Sequence, residues 1–283
     1  MYLGLGTVQL GMDYGISKKP SLLKSQQILD KAIEKKITYF DTAQSYGDSE
    51  MILSHISNNY NINIITKINC QDEGDIPSII NKSLDNLNTT TLDGVLFHDF
   101  KQYLNSNYKS QLIELKKNGV IKKIGVSIYN IEEGLILLQD DDIDIIQLPF
   151  NYLDHQWINN SKFMELVETT TKDIYIRSIF LQGILINDFQ FWPFQNRFET
   201  IYQQISDFCK INQISKIEMV VKYIKYYSWI NVVLVGIDNL LQLEEITNLW
   251  ANTTPFSMLE IKTINKLFEN ISKQLTNPSL WNK

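Results

Sequence analysis

The chain has 283 residues, which is enough to bury a sizeable core, and 44% of them are hydrophobic. Its formal net charge is −6 and its charged residues are scattered, which argues against a basic face for nucleic acid or for an anionic membrane. Because no apolar run approaches about 18 residues and the start lacks a secretory pattern, we expect a soluble, cytoplasmic protein.

Short β-rich segments alternate with longer segments of helical periodicity along the chain, a pattern typical of parallel βα units. The predicted strands cover residues 3–6, 37–41, 62–67, 92–98, 123–127, 143–148, 174–178 and 231–235. The predicted helices cover residues 22–36, 50–58, 77–87, 108–118, 131–139, 161–170, 198–227 with a break near Asn212, 240–249 and, last, 258–273. The sequence therefore predicts an α/β fold, a (β/α)8 TIM barrel with an extra C-terminal helix.

No Pro-, Gly- or Ser-rich linker interrupts this alternation, so we expect residues 1–283 to form one domain. Gly4, Gly6 and Gly11 superficially match a dinucleotide-binding glycine pattern. The third glycine is misplaced, however, and Pro20 precedes the first helix, so a Rossmann fold is rejected.

The two cysteines and three histidines offer no metal or disulfide framework. Cys70 and Cys209 are far apart and lack metal-like spacing. His55 and His155 fall on a predicted helix and a loop and form no ligand cluster with His98. We therefore expect reduced thiols and no bound metal.

Four ionisable residues fall at the predicted ends of strands two, three and four or on the adjoining loop: Asp41, Tyr46, Lys67 and His98. In a barrel of this type, the C-terminal strand ends and the loops after them face the active site. Each residue alone has an ordinary explanation, such as a helix cap, a surface tyrosine or a solvated strand end. Together they match the chemistry of carbonyl reduction.

Carbonyl reduction leaves an alkoxide that needs a proton, and Tyr46 can supply it as a general acid. Lys67 is expected to lower the pKa of Tyr46, while Asp41 pairs with Lys67 and keeps it charged and in position. His98 is expected to orient the carbonyl group and to share the charge of its oxygen.

Several segments resemble the aldo-keto reductase family, and the resemblance runs nearly end to end. Residues 4–11 (GLGTVQLG) are similar to the family's opening strand, and residues 40–47 (FDTAQSYG) are similar to its signature. Thr66-Lys67 and the strand ending at His98 resemble the next two strands. Softer similarity continues through IGVS at 124–127, IIQLPFN at 145–151 and VGIDNLLQLEE at 235–245.

The resemblance implies that Asp41, Tyr46, Lys67 and His98 form a catalytic tetrad and that a nicotinamide cofactor binds beside it. Thr7 and Asp41 lie where the family's first strands meet the cofactor. Ser127 and Gln147 match residues that hold the carboxamide, although the Asn that usually follows this Ser is Ile128 here. Arg177 takes the place of the residue, commonly Tyr, that stacks on the nicotinamide ring, and a planar guanidinium can also stack.

The end of the last strand and the following helix are expected to hold the adenosine part of the cofactor, through Gly236, Asp238, Gln242 and Glu245. Basic side chains that meet the 2′-phosphate of NADPH are missing from this stretch. Asp238 would repel a phosphate but could accept a hydrogen bond from a 2′-hydroxyl, or it could simply cap the helix. The cofactor is therefore expected to be NADPH or NADH, with the preference open.

Residues 185–197 form a long irregular stretch that is rich in aromatic residues. Functional loops are often this long, so Phe189, Trp192 and Arg197, together with Trp157, are expected to contact the substrate. Arg197 could bind a carboxylate or a phosphate. The alternative is that these aromatic side chains only pack on the barrel rim.

The expected partner is a small carbonyl compound, and the expected activity is its reduction to an alcohol by hydride transfer. Two alternatives stay open: a cofactor-binding regulatory or sensor protein with little turnover, and a lyase or isomerase that retains the cofactor. The oligomeric state, monomer or dimer, is also open, as is the natural substrate.

Overall fold

The fold is built around a closed parallel barrel. The computed structural model describes residues 1–15, 17–70 and 75–281, and over these residues eight parallel strands pair in chain order, with β8 closing on β1. The strands are β1 (Tyr2–Gly6), β2 (Tyr39–Asp41), β3 (Asn63–Ile68), β4 (Gly94–Phe97), β5 (Ile124–Ser127), β6 (Ile145–Pro149), β7 (Asp173–Arg177) and β8 (Val232–Gly236). The predicted (β/α)8 TIM barrel is therefore confirmed, and each strand lies within about two residues of its predicted bounds.

Helices follow the strands and cover the outside of the barrel. They are α1 (Val8–Gly11), α2 (Leu22–Glu34), α3 (Ser49–Ser57), α4 (Ile76–Leu87), α5 (Phe100–Tyr103), α6 (Ser106–Lys117), α7 (Ile131–Leu138), α8 (Ser161–Thr169), α9 (Gln195–Asn212), α10 (Lys216–Lys225), α11 (Leu240–Asn252), α12 (Met258–Leu267) and α13 (Lys273–Thr276). In the described part of the chain, no helix is long and apolar enough to cross a membrane.

Polar side chains at the helix starts explain several of these boundaries. Ser21 accepts a hydrogen bond from the backbone N–H of Lys24, and Asp75 accepts one from Ser78 at the start of α4. Such caps satisfy N–H groups that have no partner inside the helix. The local sequence therefore determines where these helices begin.

Two differences from the predicted helices have a physical reason. The predicted helix 258–273 is wrong as one element: α12 ends at Leu267, Asn270 adopts a positive φ of 61°, and α13 starts separately at Lys273. The short helices α1 and α5 were not predicted, because four residues are too few to display helical periodicity.

Apolar side chains fill both sides of the barrel strands. Inside the barrel, a small cluster is formed by Ile65, Leu96, Ile145, Tyr175, Val232 and Leu234. The larger core lies between the strands and the surrounding helices. Because both faces are buried, the strands are nearly continuous apolar runs, and polar residues concentrate at their C-terminal ends.

The loop after β2 packs closely against the C-terminal end of α1. A Cβ atom added to Gly11 would lie 1.9 Å from the backbone oxygen of Tyr46 and 2.7 Å from the Cβ of Ser49. Gly47, beside Tyr46, has a positive φ of 59°. Only a residue without a side chain at position 11 allows this approach, so Gly11 helps to determine where Tyr46 lies.

We expect Gly11→Ala to destabilise the fold by about 2 kcal/mol, the usual scale of overpacking, because the loop that carries Tyr46 must move. Denaturant unfolding measures this effect. Gly6→Ala is the matched control, since its Cβ would meet nothing closer than 3.7 Å. Equal stability of the two variants would show that the loop adapts freely.

Candidate functional site

The four ionisable residues singled out from the sequence meet at the C-terminal mouth of the barrel. Asp41 ends β2, Lys67 lies near the end of β3, and His98 directly follows β4. Tyr46 lies on the loop between β2 and α3. Asp41 pairs with Ile65 on the neighbouring strand β3, and Lys67 lies two residues further along that strand. Residues two apart on a strand share a face, so Lys67 lies close enough to reach Asp41.

Asp41 and Lys67 form a buried ion pair. The Lys67 Nζ lies 2.5 Å from the Asp41 Oδ2, and the two residues are only 1% and 4% exposed, respectively. Gln147 on β6 donates through Nε2 to the other carboxylate oxygen of Asp41 at 2.7 Å. Both carboxylate oxygens therefore have partners, as a buried charge requires.

Tyr46 lies beside this pair and is half-buried. The Lys67 Nζ is 5.0 Å from the centre of the tyrosine ring. Burial, reinforced by the nearby Asp41 carboxylate, raises the pKa of Tyr46 well above its usual value of 10.0. The expectation that Lys67 lowers this pKa is therefore wrong for the protein on its own, because Asp41 balances the lysine charge and the phenolate is poorly solvated.

His98 lies against Tyr46, with ring centres 5.7 Å apart in an edge-to-face arrangement. Burial, together with the positive charges of Lys67 and Arg177, lowers the pKa of His98 to about 4. The ring is therefore neutral at physiological pH. Its Nδ1 lies 3.3 Å from the Ser45 hydroxyl. When that hydroxyl donates, the ring proton resides on Nε2, the nitrogen at the other side of the ring.

A cavity of about 110 Å³ extends from Tyr46 along the ends of β1 and β8. Many of the predicted site residues line it, namely Thr7, Asp41, Tyr46, Arg177, Gly236, Asp238 and Gln242. Thr7 itself is fully buried, and its hydroxyl donates to the backbone oxygen of Asp41 at 3.0 Å. Thr7 therefore ties β1 to the end of β2 while it lines the cavity.

The predicted carboxamide-binding residues each contact a residue that lines this cavity: Gln147 contacts Asp41, and Ser127 contacts Arg177. Arg177 donates from Nη2 to the Ser127 hydroxyl at 3.4 Å and to the Ile128 carbonyl oxygen at 3.3 Å. Its guanidinium lies 4.3 Å from the ring centre of Tyr129. Within the described residues, the buried Oε1 of Gln147 has no hydrogen-bond partner. A ligand amide N–H group would satisfy it.

The predicted adenosine-binding residues separate into two groups. Gly236, Asp238 and Gln242 line the cavity, and the Gln242 Oε1 accepts a hydrogen bond from the Asp238 backbone N–H at 2.8 Å. The buried Asp238 Oδ1 has no partner in the part of the chain that the structure describes. Glu245 is exposed on α11 and does not line this cavity.

The predicted aromatic wall does not form at the cavity. Trp157 is fully buried, and its indole N–H donates to the Pro149 carbonyl oxygen at 2.7 Å. Phe189 and Trp192 pack on Tyr202 of α9, with ring centres 5.1 and 5.8 Å from it. Trp157, Phe189 and Trp192 line neither this cavity nor the one beside it, because their rings satisfy their apolar surface within the fold. Their contact with the substrate stays a prediction.

Arg197 is also separate from the cavity. Its side chain is exposed, and its guanidinium lies 6.0 Å from the ring centre of Phe198. It lines neither the cavity at Tyr46 nor the two neighbouring ones. The alternative stated from the sequence, that the aromatic side chains only pack within the fold at the barrel rim, describes Phe189 and Trp192 better.

Sequence reasoning missed three residues at the site. Ser45 lies beside Tyr46 in the sequence and contacts His98. A hydroxyl group next to the predicted proton donor was the one sequence feature that could have pointed to Ser45. Tyr129 lies under Arg177, and Gln9 covers Gly236 at the cavity wall. Neither position carried a signal, because both contacts join segments far apart in the chain.

One family model matches nearly the whole chain. The model of the "Aldo/keto reductase family" matches residues 2–269. A search of curated proteins found no match.

Solved structures share the fold at low sequence identity. The aldo-keto reductase AKR11C1 from Bacillus halodurans, in its holo form, superposes with a TM-score of 0.77 at 20% identity, over 97% of this chain and 95% of that one. A Gox0644 variant in complex with NADPH gives 0.70 at 16% identity, over 94% and 89%. PA4992 from Pseudomonas aeruginosa gives 0.65 at 22% identity, over 88% and 89%.

We expect Lys67→Met to destabilise the protein by about 3–5 kcal/mol, because it leaves the Asp41 carboxylate buried without its cation. The double variant Asp41→Asn/Lys67→Met removes both charges and should recover most of this loss. Denaturant unfolding of the single and double variants measures the difference. If the double variant were as unstable as the single one, the ion pair would not be the source of the loss.

We expect the ring of His98 to stay neutral as the pH falls from 8 to about 5.5, since its pKa is lowered to about 4. Nuclear magnetic resonance of the three histidine rings, with His98→Gln for assignment, measures this directly. In urea the same ring should titrate near its usual pKa of about 6.5. The unfolded chain then binds the proton first, so stability falls as the pH drops from about 6.5 towards 4. If the ring in the folded protein titrated near 6.5, burial and the nearby positive charges would not lower its pKa as described.

Proposed function

Because the chain belongs to the aldo-keto reductase family, we propose that it reduces the carbonyl group of a small aldehyde or ketone with NADPH or NADH. The observation that carries this proposal is the contact between the buried Asp41–Lys67 pair, Tyr46 and His98 at the mouth of the barrel. Carbonyl reduction needs a proton donor, a positive charge and a neutral hydrogen-bond donor close together, and Tyr46, Lys67 and His98 supply these groups.

The residues present suit a nicotinamide dinucleotide. The Gln147 Oε1 and the Asp238 Oδ1 are buried acceptors that no described residue satisfies. Gln147 contacts Asp41 at the cavity, and Asp238 lines the cavity. A carboxamide N–H and a ribose hydroxyl are donors of the kind that each acceptor requires. Ser127 and Arg177 would hold the nicotinamide end, and Gly236 and Gln242 the adenosine end. When bound, this cofactor supplies the hydride that reaches the carbonyl carbon.

Tyr46 acts as the proton donor in this proposal. Its raised pKa keeps the hydroxyl protonated at neutral pH, which is the form that an acid must have before the reaction. Once the carbonyl carbon has gained the hydride, its oxygen carries the negative charge. An alkoxide is a stronger base than a phenolate, so the proton of Tyr46 passes to that oxygen and leaves an alcohol.

Lys67 and His98 prepare the site for this transfer. The ammonium group of Lys67, held by Asp41, stabilises the phenolate that remains on Tyr46 after the proton has left. The neutral ring of His98 can donate from Nε2 to the substrate oxygen and so orient the carbonyl group. Ser45 and Asp41 act as positioning residues for His98 and Lys67.

A second cavity, of about 240 Å³, adjoins the first and is our proposed substrate site. The two cavities share Tyr14, Arg177, Ser178 and Gln182. Its other walls come from the loop after β6 and from the C-terminal segment around Lys273. Many of the lining residues carry a polar or charged group that could orient a small carbonyl compound by hydrogen bonding.

We expect Tyr46→Phe to bind NADPH or NADH as the unchanged protein does and to lose at least about two orders of magnitude in turnover, the usual scale for general acid catalysis. Turnover is measured as the loss of reduced-cofactor absorbance with a broad panel of aldehydes and ketones. Cofactor binding is measured by quenching of the protein's own fluorescence.

The matched control is Tyr60→Phe, which removes the hydroxyl of an exposed tyrosine remote from the site. It should turn over normally. Normal turnover of Tyr46→Phe would show that Tyr46 is not the acid. If the unchanged protein bound the cofactor tightly but oxidised it with none of the carbonyl compounds, a sensor would be favoured. If it converted a substrate with no net change in the reduced cofactor, a lyase or isomerase would be favoured.

A further inference from the structure

Arg177 lies where the cavity at Tyr46 meets the proposed substrate cavity, since it lines both of them. It is close enough to the reacting groups to act on them electrostatically. Its positive charge helps to lower the pKa of His98 and opposes the raised pKa of Tyr46. A group bound by Arg177 would therefore be a near neighbour of a carbonyl group held at Tyr46 and His98.

The guanidinium of Arg177 has hydrogen-bonding capacity that the fold does not use. Its Nη2 donates to Ser127 and to the Ile128 carbonyl oxygen, whereas its Nε and Nη1 donate to no described residue. Tyr129 lies against the guanidinium plane. Within the described part of the chain, no carboxylate forms an ion pair with Arg177. A guanidinium can stack through its face and bind a carboxylate through its edge, so the remaining donors suit an anion.

A second cation, Lys273, lines the proposed substrate cavity from the C-terminal segment. It is the first residue of α13, and it is exposed. Among the described residues, Lys273 has no ion-pair partner, whereas Lys109 and Lys116 pair with aspartates at 2.6 and 2.5 Å. Its ammonium group is therefore available to a ligand in this cavity.

One carboxylate, Asp154, lines the same cavity. It is 9% exposed, and its two oxygens accept hydrogen bonds from the backbone N–H and the Nε2 of Gln156 at 3.4 and 3.0 Å. The Asp154 carboxylate is thus held by its own loop. The described lining residues therefore supply two cations and one carboxylate, which leaves the cavity with a surplus positive charge.

We propose that the substrate is an oxo acid, a small aldehyde or ketone that also carries a carboxylate, and that Arg177 and Lys273 bind this carboxylate. This inference rests on the proposed function and narrows its substrate class. The hydride adds to the carbonyl carbon, the π electrons move to the oxygen, and Tyr46 gives that oxygen a proton. The product is a hydroxy acid whose carboxylate is unchanged. A cavity of about 240 Å³ suits a short chain of this kind.

The test compares pairs of substrates that share the reacting carbonyl group and differ in charge. The pairs are 2-oxobutanoate, 4-oxobutanoate and 5-oxopentanoate, each with its methyl ester. In at least one pair we expect the acid to have a kcat/KM at least about tenfold higher than that of its ester, because charge-assisted hydrogen bonds are stronger than neutral ones. The measured quantity is the ratio of the two kcat/KM values.

Variants of Lys273 show whether this preference depends on its charge. We expect Lys273→Met to lower the ratio about fivefold, mainly through the KM of the acid, and Lys273→Arg to restore it, since both cations pair with a carboxylate. The matched control is Lys262→Met, which removes an exposed lysine of α12 that lines neither cavity. It should leave the ratio unchanged. Thermal unfolding of the variants confirms that they fold.

A binding experiment reports the anion site without turnover. Succinate is an unreactive dicarboxylate, and 1,4-butanediol is its uncharged counterpart. At fixed ionic strength, succinate should raise the Tm of the unchanged protein more than that of Lys273→Met, because a ligand that binds the folded state stabilises it. The diol should give no such difference between the two proteins.

The outcomes separate this inference from the proposed function. If carbonyl compounds are reduced but no acid is preferred to its ester, or if Lys262→Met lowers the ratio as much as Lys273→Met does, the inference is wrong and the proposed function stands. If succinate protects through Lys273 but no carbonyl compound is reduced, the anion site stands and the proposed function fails. If there is neither reduction nor protection, both fail.

Discussion

The buried ion pair between Asp41 and Lys67 is the constraint on which the site depends. A lysine that is 1% exposed must have an anionic partner, and Asp41 is placed to provide one because β2 and β3 are neighbours in the barrel. Gln147 reaches the same carboxylate from β6, on the other side of the barrel. Only a closed barrel brings these three strand ends together, so the fold and the charge arrangement are interdependent.

Burial around this pair determines the protonation states of its neighbours. It raises the pKa of Tyr46 and lowers the pKa of His98, so that the phenol keeps its proton and the imidazole is neutral. Both states suit proton delivery to a developing alkoxide. From the sequence we expected Lys67 to lower the pKa of Tyr46. It does not, because Asp41 balances the lysine charge and few water molecules reach the phenolate.

Two tryptophans show how tertiary packing changes an interpretation made from sequence. Trp157 and Trp192 have the composition of a binding wall, yet both are buried in contacts with other parts of the fold.

The sequence by itself determined the fold class, the order and approximate bounds of the strands, and the position of Asp41, Lys67 and His98 at strand ends. It could do so because the alternation of β-rich and helical segments and the hydrophobic periodicity are local properties of the chain. The tertiary structure alone decided which distant segments meet: Gln147 with Asp41, and Ser45 with His98. It also decided the pKa directions and the burial of the aromatic residues. These depend on solvent exclusion and on contacts between remote residues, which no local pattern encodes.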